Sequence, residues 1–516
     1  MIYRNWLGVL AILSVTLFVG CDSVEQPAVN EQATEPQPVE LRVMSFNIEW
    51  GGTHISFENV VKAIRLSGAD IVGIQEAEGN LQRLANDLGW HYNLRNYVIS
   101  RFPLIDPAGA YELGVDGHVA DGPRADGLYV LVEVAPGRVI AMANTHLPSD
   151  PYGPDRVRDG AAAEEILALE RKVRLPKIKP YVDALPPLFN AGIPVYLTGD
   201  FNAPAHTDWI AATVGTHRFV KYPIDWPVSK AAAASGLKDS WREAHPDPVA
   251  NPGLTWFAGR PPLPLYTPGD NDPLDRIDFV WFAGPQTLLS SEIVGEENGP
   301  EVTFGVSPWP SDHRGVVSAF SVLPAAMPEY ISPSLRVYSQ GDRVDLAYNF
   351  KAAAEISVFK DRSSGEPLSA AARQVTGHGN ALFDADLFAP GHYFATAEDQ
   401  NRRSFKTEFW VLEKNAVPQV RVPGDRYKVG EAIDVEWANA PGNRNDYIAA
   451  YKLHVTADYE NGQAWTYVKS LPEGRMPLAE STVEWNWPLE PGEYVIRLIK
   501  DDGSETLAES QPFIVE

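Results

Sequence analysis

The chain has 516 residues, of which 44% are hydrophobic and 10% aromatic, a composition typical of globular domains that argues against pervasive disorder. At this length we expect two to four domains. The formal net charge of -25 argues against a broad nucleic-acid-binding surface, because affinity for polyanions comes mainly from lysine and arginine. It does not exclude a phosphate substrate, since a bound divalent cation can reverse the field inside an acidic cleft.

The first 20 residues are typical of a secretory signal peptide, with Arg4 ahead of an apolar run at 6–20. The sequence LFVGC at 17–21 resembles a bacterial lipoprotein signal, although Phe18 stands where leucine is usual. The resemblance implies export and a lipid on Cys21 that holds the chain at a membrane, facing the periplasm or the cell surface. Two alternatives are cleavage without lipidation and an uncleaved anchor, for which the apolar run falls short of ~20 residues.

Cys21 is the only cysteine in the sequence, so the chain forms no intramolecular disulfide. Residues 21–40 are acidic, contain proline and lack an apolar period, which predicts a flexible tether. The first folded domain is therefore expected to begin at residue 41.

Residues 41–323 alternate short apolar runs with helical patterns, which indicates a layered α/β or α+β domain. Helices are predicted at 56–67 and 159–172, with a short helical piece at 208–214. The proline- and tryptophan-rich stretch 203–275 predicts surface loops flanking a cleft, or an insertion without function. The predicted strands are LRVMSFNI, ADIVGIQE, LYVLVEV, VIAMANTHL, IPVYLTGDFN, DRIDFVWF and GVVSAF.

After residue 323 the pattern changes to strand-like segments separated by turn signals, which is typical of β-sandwich modules. YSQGDRVDLAYNF resembles YKVGEAIDVEWAN, and a second pair of segments begins at APGHYF and EPGEYV. We therefore expect two related all-β sandwich domains, at 328–414 and 415–516.

Eight polar residues near the ends or beginnings of apolar runs are the candidates for chemistry. Each one alone is more typical of a turn or a helix cap, but side chains at strand ends can converge on one rim of a sheet. Five of them supply hard oxygen ligands for a metal, which favour Mg²⁺ or Mn²⁺ over Zn²⁺, and the 11 histidines show no HExxH spacing. These five are Asn47, Glu76, Asp200, Asn202 and Asp312. The candidates are Asn47, Glu76, His146, Asp200, Asn202, Asp278, Asp312 and His313.

Hydrolysis also requires an activated water, and His313 is a natural general base if Asp278 accepts a hydrogen bond from its other ring nitrogen. His146 is then available to donate to a phosphate oxygen or to protonate the leaving group, and the sequence leaves both roles open. Asp200 and Asn202 are suited to orienting the attacking water.

The series SFNIEW, IVGIQE, NTHL, LTGDFNAP, DRIDFVW and SDHRG resembles the motifs of the endonuclease/exonuclease/phosphatase superfamily, in family order over roughly residues 41–322. The resemblance implies a four-layer αββα sandwich with a one- or two-metal site at one rim. It implies metal binding by Asn47, Glu76 and Asp312, with Asp200 and Asn202 as the pair that orients water and phosphate. Asp278 would be the partner of His313.

His146 matches the deoxyribonuclease-like and sphingomyelinase-like branches of that superfamily. Arg124 either matches a phosphate-contacting arginine or is an ordinary surface arginine. The signatures of inositol polyphosphate 5-phosphatases are replaced here by LTGDFNAP and LDRIDFVW, which disfavours inositol phosphates.

Three functions remain open from the sequence. The first is an exported nuclease that degrades DNA or RNA. The second is a phospholipase C-like, sphingomyelinase-like or small-molecule phosphodiesterase, for which Trp226, Trp241 and Trp256 would form a membrane interface, although core positions are the more common role of tryptophan. The third is an adhesion or glycan-binding protein whose C-terminal domains carry the function, the alternative being that these domains are spacers.

Overall fold

The computed structural model describes residues 37–516, apart from 108–110, 113–127, 265–266, 268, 270, 361–366, 369–371, 401–402, 458–460, 469–470 and 481–486. The predicted signal peptide, Cys21 and nearly all of the predicted tether lie outside the described residues. Residues Pro38–Glu516 form one unit. Within the described part of the chain, no helix combines the length and apolarity needed to cross a membrane.

The part of this unit up to residue 326 consists of two sheets with helices outside them. Its helices are α1 (Phe57–Ser67), α2 (Leu81–Leu88), α3 (Gly153–Arg158), α4 (Ala163–Val173), α5 (Leu175–Asn190), α6 (Pro227–Ala234) and α7 (Ser240–Ala244). Its strands are β1 (Val39–Asn47), β2 (Ile71–Gln75), β3 (His91–Asn93), β4 (Val98–Ser100), β5 (Leu104–Ile105), β6 (Tyr111–Glu112), β7 (Val130–Ala135), β8 (Arg138–His146), β9 (Val195–Asp200), β10 (Lys238–Asp239), β11 (Asp278–Ala283), β12 (Gln286–Glu296), β13 (Val302–Val306), β14 (Gly315–Val322) and β15 (Ala325–Ala326).

The first sheet has the strand order β13-β12-β14-β1-β2-β4-β3, and the second has the order β10-β11-β9-β8-β7-β5. At the centre of each sheet two strands run parallel, β1 with β2 and β8 with β9. Each parallel pair is flanked by an antiparallel strand that comes later in the chain, β14 beside β1 and β11 beside β9.

The side chains of the central strands alternate between two apolar layers, as expected for strands buried on both faces. In β1, Leu41 and Val43 point into the layer between the two sheets, while Met44 and Phe46 pack under α1 and α2. In β8, Ile140 faces the same inter-sheet layer, and its neighbouring alanines pack under α5 and α6. The order of layers is therefore helix, sheet, sheet, helix, which confirms the predicted four-layer αββα sandwich.

The helix predicted at 56–67 is present as α1, and Ser56 caps it because its hydroxyl accepts a hydrogen bond from Asn59 N at 3.2 Å. The helix predicted at 159–172 begins later, at Ala163. Asp159 instead ends α3, and Gly160 follows it with a φ of 103°.

The short helix predicted at 208–214 is wrong, because this segment consists of turns and bends. The hydroxyl of Thr213 donates to Asp208 O at 2.7 Å and accepts from Ile210 N at 3.1 Å. These side-chain bonds take the place of backbone bonds that a helix needs.

The remaining chain is all β, as predicted. The first sandwich domain contains β16 (Tyr330–Pro333), β17 (Val337–Ser339), β18 (Val344–Lys360), β19 (Arg373–Phe383), β20 (Gly391–Asp399) and β21 (Ser404–Leu412), with a 3₁₀ turn at Ala385–Leu387. The second contains β22 (Gln419–Arg421), β23 (Arg426–Tyr427), β24 (Ile433–Ala438), β25 (Tyr447–Lys452), β26 (Gly462–Tyr467), β27 (Gly474–Leu478), β28 (Gly492–Ile499), β29 (Thr506–Glu509) and β30 (Phe513–Val515).

In the second sandwich domain, the sheet β22-β24-β27 packs on a larger sheet built on β28 and β25. Val435 and Trp437 of the smaller sheet share one apolar core with Ile448 and Ile496 of the larger one. In the first sandwich domain, the sheet also pairs with β6 of the preceding αββα sandwich, through β21.

Candidate active site

Four of the predicted residues lie at one rim because of strand direction. β1 and β2 are parallel and end at Asn47 and just before Glu76, while β8 and β9 are parallel and end at His146 and Asp200. Since both parallel pairs present their carboxyl ends at the same edge of the sandwich, these side chains meet across the two sheets. Asn47 Nδ2 donates to Glu76 Oε1 at 2.9 Å and to Asp200 Oδ2 at 3.1 Å.

The two antiparallel strands bring three more residues to the same rim, because they start where the parallel strands end, and Asn202 follows the end of β9. Asp278 begins β11 and lies opposite Asp200 in the register with β9. Asp312 and His313 immediately precede β14, and Ser311 fixes this segment by donating its hydroxyl hydrogen to Asn47 O at 2.7 Å.

His313 is a buried imidazole held by carboxylates. Its Nδ1 lies 3.0 Å from Asp278 Oδ2, and its Nε2 lies 3.6 Å from Asp200 Oδ2. Burial alone would lower the pKa of His313, but the charges of Asp278, Asp200 and Asp312 outweigh it and hold that pKa well above its usual range. Asp278 is fixed in turn by Thr255, whose hydroxyl accepts from Asp278 N at 3.1 Å.

His146 lies on the other side of Asp200, with its Nε2 3.4 Å from Asp200 Oδ2 and 4.0 Å from Glu76 Oε1. Burial favours the neutral ring, but the hydrogen bond and charge of Asp200 and the charge of Glu76 raise the pKa of His146 to about 9. Asn202 lies beside both groups, and its amide nitrogen donates to Leu147 O at 3.0 Å. Asn202 N also donates to Asp200 Oδ1 at 2.8 Å.

Glu76 follows β2 with a φ of 54°, and its Oε2 accepts a hydrogen bond from Trp50 N at 3.0 Å. A positive φ is uncommon for a residue with a long side chain and costs about 1–3 kcal/mol. The surrounding contacts hold this conformation, which turns the carboxylate toward Asn47.

Asp312 is held by two residues that the sequence analysis did not assign to the site. Trp256 Nε1 donates to Asp312 Oδ2 at 3.2 Å, and Glu49 Oε2 accepts from Asp312 N at 2.9 Å. Glu49 is buried and also pairs with Arg260, whose Nε lies 2.8 Å from Glu49 Oε2. Burial, followed by the charge of Asp312, raises the pKa of Glu49 to about 7.

Glu49 could have been found from its place in SFNIEW, two residues after Asn47. Trp256 lies in the long loop stretch 203–275, whose path is not readable from periodicity. The structure makes this stretch mainly loops, as predicted, with α6, α7 and β10 inside it. Trp226 and Trp241 are buried in apolar clusters, and Trp256 is half-buried at the rim.

The residues at this rim fit a hard divalent cation. Glu76, Asp312 and Asn47 offer carboxylate and amide oxygens, the ligand type that Mg²⁺ and Mn²⁺ prefer. Burial raises the pKa of Asp312, and although His313 lowers it, the charge of Glu76 adds to the increase, so this crowding of carboxylates favours a bound cation. Among the described residues, Glu49 Oε1 and Asp278 Oδ1 are buried without a hydrogen-bond partner.

A second set of donor atoms belongs to Asp200, Asp278 and His313, which lie within 4.8 Å of one another. The short contact between His313 and Asp278 makes these two a hydrogen-bonded pair rather than joint ligands. Asp200 belongs to this second set and also contacts Asn47 of the first set.

The structure therefore brings eight of the predicted site residues to one rim, and it does so through strand direction rather than through one local motif. Arg124, the ninth, lies outside the described residues, so its role in phosphate contact stays a prediction. The metal and catalytic roles of the eight likewise stay predictions, which their placement makes testable.

Residues 44–313, about half of the chain, match the Endonuclease/Exonuclease/phosphatase family. The chain is 28% identical over 310 residues to the uncharacterized protein F14F9.5 of Caenorhabditis elegans, covering 55% of this chain and 92% of that protein. A solved AP endonuclease from Archaeoglobus fulgidus aligns with a TM-score of 0.34 at 15% identity, over 54% of this chain and 98% of that one. A mannosyl-6-phosphatase from Bacteroides thetaiotaomicron aligns with a TM-score of 0.32 at 15% identity, over 54% and 99%.

The chain belongs to the endonuclease/exonuclease/phosphatase family, as its motifs predicted. It is a phosphoric ester hydrolase of the divalent-metal-dependent type.

Proposed function

We propose that this chain hydrolyses phosphodiester bonds by in-line attack of water. The observation that carries the proposal is the placement of His313. Its Nδ1 is bound to Asp278 at 3.0 Å, and its Nε2 points toward Asp200 in a cleft rimmed by Glu76 and Asn47. This arrangement leaves one ring nitrogen directed at the position where a water and a phosphate would meet.

Asp278 sets the orientation of His313 and, in the neutral ring, the tautomer in which Nδ1 carries the proton. The free Nε2 then accepts a proton from the attacking water, which makes His313 the general base. Glu76, Asn47 and Asp312 would hold Mg²⁺ or Mn²⁺, which supplies positive charge for the phosphoryl oxygens and offsets the carboxylates that now favour protonated His313. Asp200 and Asn202 position the water between the two histidines.

His146 is assigned the protonated role, because the hydrogen bond and charge of Asp200 and the charge of Glu76 outweigh its burial and raise its pKa to about 9. A protonated imidazole at this place donates a hydrogen bond to a phosphoryl oxygen or a proton to the leaving oxygen. The hydrogen bond needs a ring N–H and the proton transfer needs the protonated ring, and both are lost when the ring is removed.

Nucleic acid outside the cytoplasm is the first candidate substrate. The support for it is the histidine at position 146, which matches the deoxyribonuclease-like branch, together with the sequence features at 1–21 that predict export and a lipid on Cys21. Hydrolysis there would release nucleotides from DNA or RNA. Glycan or surface contact by the sandwich domains stays a prediction alongside it.

A small phosphodiester, including the head group of a phospholipid, is the second candidate, and the electrostatics of the cleft favour it. Burial and the charges of Glu76 and Asp502 raise the pKa of Glu78 to about 9, so Glu78 is protonated near neutral pH and reflects the negative potential of the carboxylates around it. A negative potential of this kind repels the neighbouring phosphates of a nucleic acid strand, whereas a substrate with one phosphate avoids that repulsion.

The test is hydrolysis by the purified full chain of bis(4-nitrophenyl) phosphate, single-stranded DNA, RNA and sphingomyelin vesicles, each with Mg²⁺, Mn²⁺ or EDTA. We expect metal-dependent turnover of at least one substrate and its loss in His313→Ala. His91→Ala, which removes an exposed histidine on β3, is the matched control and should retain activity. Turnover of none of these diesters with any divalent metal would contradict the proposal.

A further inference from the structure

The second sandwich domain contacts the catalytic region beside the active-site rim. Arg444 Nη1 donates to Arg95 O at 2.6 Å, and Arg444 Nη2 donates to the hydroxyl of Tyr181 at 2.8 Å. The hydroxyl of Tyr97 donates to Asp501 Oδ1. A loop and a turn of the sandwich domain, at 443–446 and 500–503, are thus attached to the catalytic region.

These contacts fall on groups that are bonded to the strands carrying the site. Tyr97 O accepts from Ile74 N at 2.8 Å and from Asn144 Nδ2 at 3.2 Å, and the Tyr181 hydroxyl donates to Asn144 O at 3.2 Å. Ile74 is two residues before Glu76, and Asn144 is two residues before His146. The sandwich domain is therefore fixed to the same strand ends that present the metal and phosphate groups.

The turn at 500–503 is held in one conformation. Gly503 N donates to Lys500 O at 2.8 Å, Asp502 N donates to Asn445 O at 3.1 Å, and the Tyr447 hydroxyl donates to Gly503 O at 3.1 Å. The side-chain amide of Asn445 donates to Asp502 Oδ2. Asp502 is exposed as a residue, but its carboxyl group is held by Asn445 and Tyr467, and burial raises its pKa to about 7, so it carries its charge above that pH.

That place is next to the catalytic cleft. A Cβ added at Gly503 would lie 3.9 Å from Glu78 O, two residues after the predicted metal ligand Glu76. The carboxyl of Asp502 lies within electrostatic range of both Glu78 and the imidazole of His146. The nearby cations are paired with other groups, Arg444 with Arg95 O and the Tyr181 hydroxyl, and Lys500 with Glu505.

We propose that the second sandwich domain forms one wall of the catalytic cleft and that Asp502 is a specificity-determining residue, which disfavours substrates carrying a further phosphate beside the scissile one. This inference rests on the proposed phosphodiesterase function. Asp502 would favour diesters with a single phosphate over nucleic acid strands. A scissile phosphate bound at His146 would place the next phosphate of a strand near the Asp502 carboxylate.

The experiment compares two substrates with the same leaving group, thymidine 5′-(4-nitrophenyl phosphate) and its 3′-phosphorylated derivative. At pH 8 the full wild-type chain should prefer the first in kcat/KM by about three- to tenfold, the scale of one screened charge contact. Asp502→Asn should bring the ratio toward one, mainly by improving the 3′-phosphorylated substrate. Glu505→Gln, which removes a charge paired with Lys500 in the same hairpin, should leave the ratio unchanged.

A ratio in Asp502→Asn equal to that of wild type would overturn the inference, as would an equal change in Glu505→Gln. A second readout needs no turnover: calorimetric binding of thymidine 5′-phosphate and thymidine 3′,5′-bisphosphate to the same variants, with the bisphosphate tightening selectively in Asp502→Asn. If wild type hydrolyses no diester, the proposed function fails by itself, while the binding ratio still decides the role of Asp502. Raised salt should reduce the wild-type preference, since screening weakens an exposed charge contact.

Discussion

Asp200 and Asp278 lie directly opposite each other on neighbouring antiparallel strands, and His313 is within reach of both carboxylates. The two carboxylates have different environments. Burial would raise the pKa of Asp200, but His313 and His146 lower it below its usual value. Burial dominates at Asp278 and raises its pKa to about 6. Asp200 therefore lies on the cleft side of the imidazole, whereas Asp278 orients the imidazole through its other ring nitrogen.

Asp278→Asn should lower kcat by about 10²- to 10⁴-fold, the range found when the orienting carboxylate or the base itself is lost. The amide keeps the size of the side chain but removes the negative charge. That charge favours the correct orientation of His313 and raises its pKa, so both effects should be lost. Initial rates against pH would measure both effects. Asp345→Asn, on the first sandwich domain, is the control, and a kcat for Asp278→Asn within twofold of wild type would show that the pair is not catalytic.

Glu76→Gln should weaken binding of Mn²⁺ and Mg²⁺, because it removes a carboxylate charge from the predicted ligand set. A ligand that binds the folded state alone raises the unfolding temperature with concentration. Thermal unfolding with increasing Mn²⁺ should therefore show a smaller rise for Glu76→Gln than for wild type. Glu292→Gln, which breaks a part-exposed pair with Arg42, should behave as wild type, and identical metal responses of all three proteins would place the cation elsewhere.

The sequence was sufficient for the central strands and for the convergence of eight site residues, because apolar runs and strand-end polar groups are local signals. The layer order was implied by the resemblance of the motifs to a known family, and strands such as β12 and β13 were not predicted. It was insufficient for Glu49 and Trp256, whose contacts with Asp312 depend on how a loop and a turn meet in space. The helix predicted at 208–214 is absent for a local reason, because the side-chain bonds of Thr213 to Asp208 O and Ile210 N compete with those of a helix. The contact made by Arg444 joins residues 263 and 349 positions apart, a distance that no local pattern encodes.

Gly73→Ala should destabilise the catalytic sandwich and lower activity. A Cβ at this position of β2 would lie 2.0 Å from Thr198 Oγ1 and 2.5 Å from Asn144 Oδ1, inside the polar contact that joins the two sheets. Overpacking of this kind costs about 1–3 kcal/mol. Thermal unfolding should show the loss, and Thr198→Ala in the same chain should recover part of it. An unchanged unfolding temperature for Gly73→Ala would mean that the sheets are not this close.

Asp275→Asn should change how stability depends on pH. Asp275 is buried, accepts from Trp209 Nε1 and from the Tyr152 hydroxyl, each at 3.0 Å, and burial raises its pKa to about 7. Because the folded state then holds a proton that the unfolded state has released, wild type loses stability as pH rises from the ordinary aspartate value of 3.8 to about 7. Because asparagine does not ionise, the stability of Asp275→Asn should not decrease with pH in this way.

Between pH 4.5 and pH 7.5 the unfolding temperature of Asp275→Asn should therefore rise relative to that of wild type. The underlying free energy of unfolding changes by at most about 1.4 kcal/mol per pH unit. Asp342→Asn, at an exposed turn of the first sandwich domain, is the control for a lost surface charge. A difference that is constant with pH would show that Asp275 ionises normally.

The central claim is that Glu76, Asn47 and Asp312 hold a divalent cation beside the pair formed by His313 and Asp278. Anomalous diffraction from crystals of the full chain grown with Mn²⁺ tests it most directly. We predict a manganese peak with Glu76 and Asp312 oxygens as ligands and with the hydrogen bond between His313 and Asp278 intact. A peak bound through His313 and Asp278, or no peak at this rim in crystals that bind manganese elsewhere, would contradict the account.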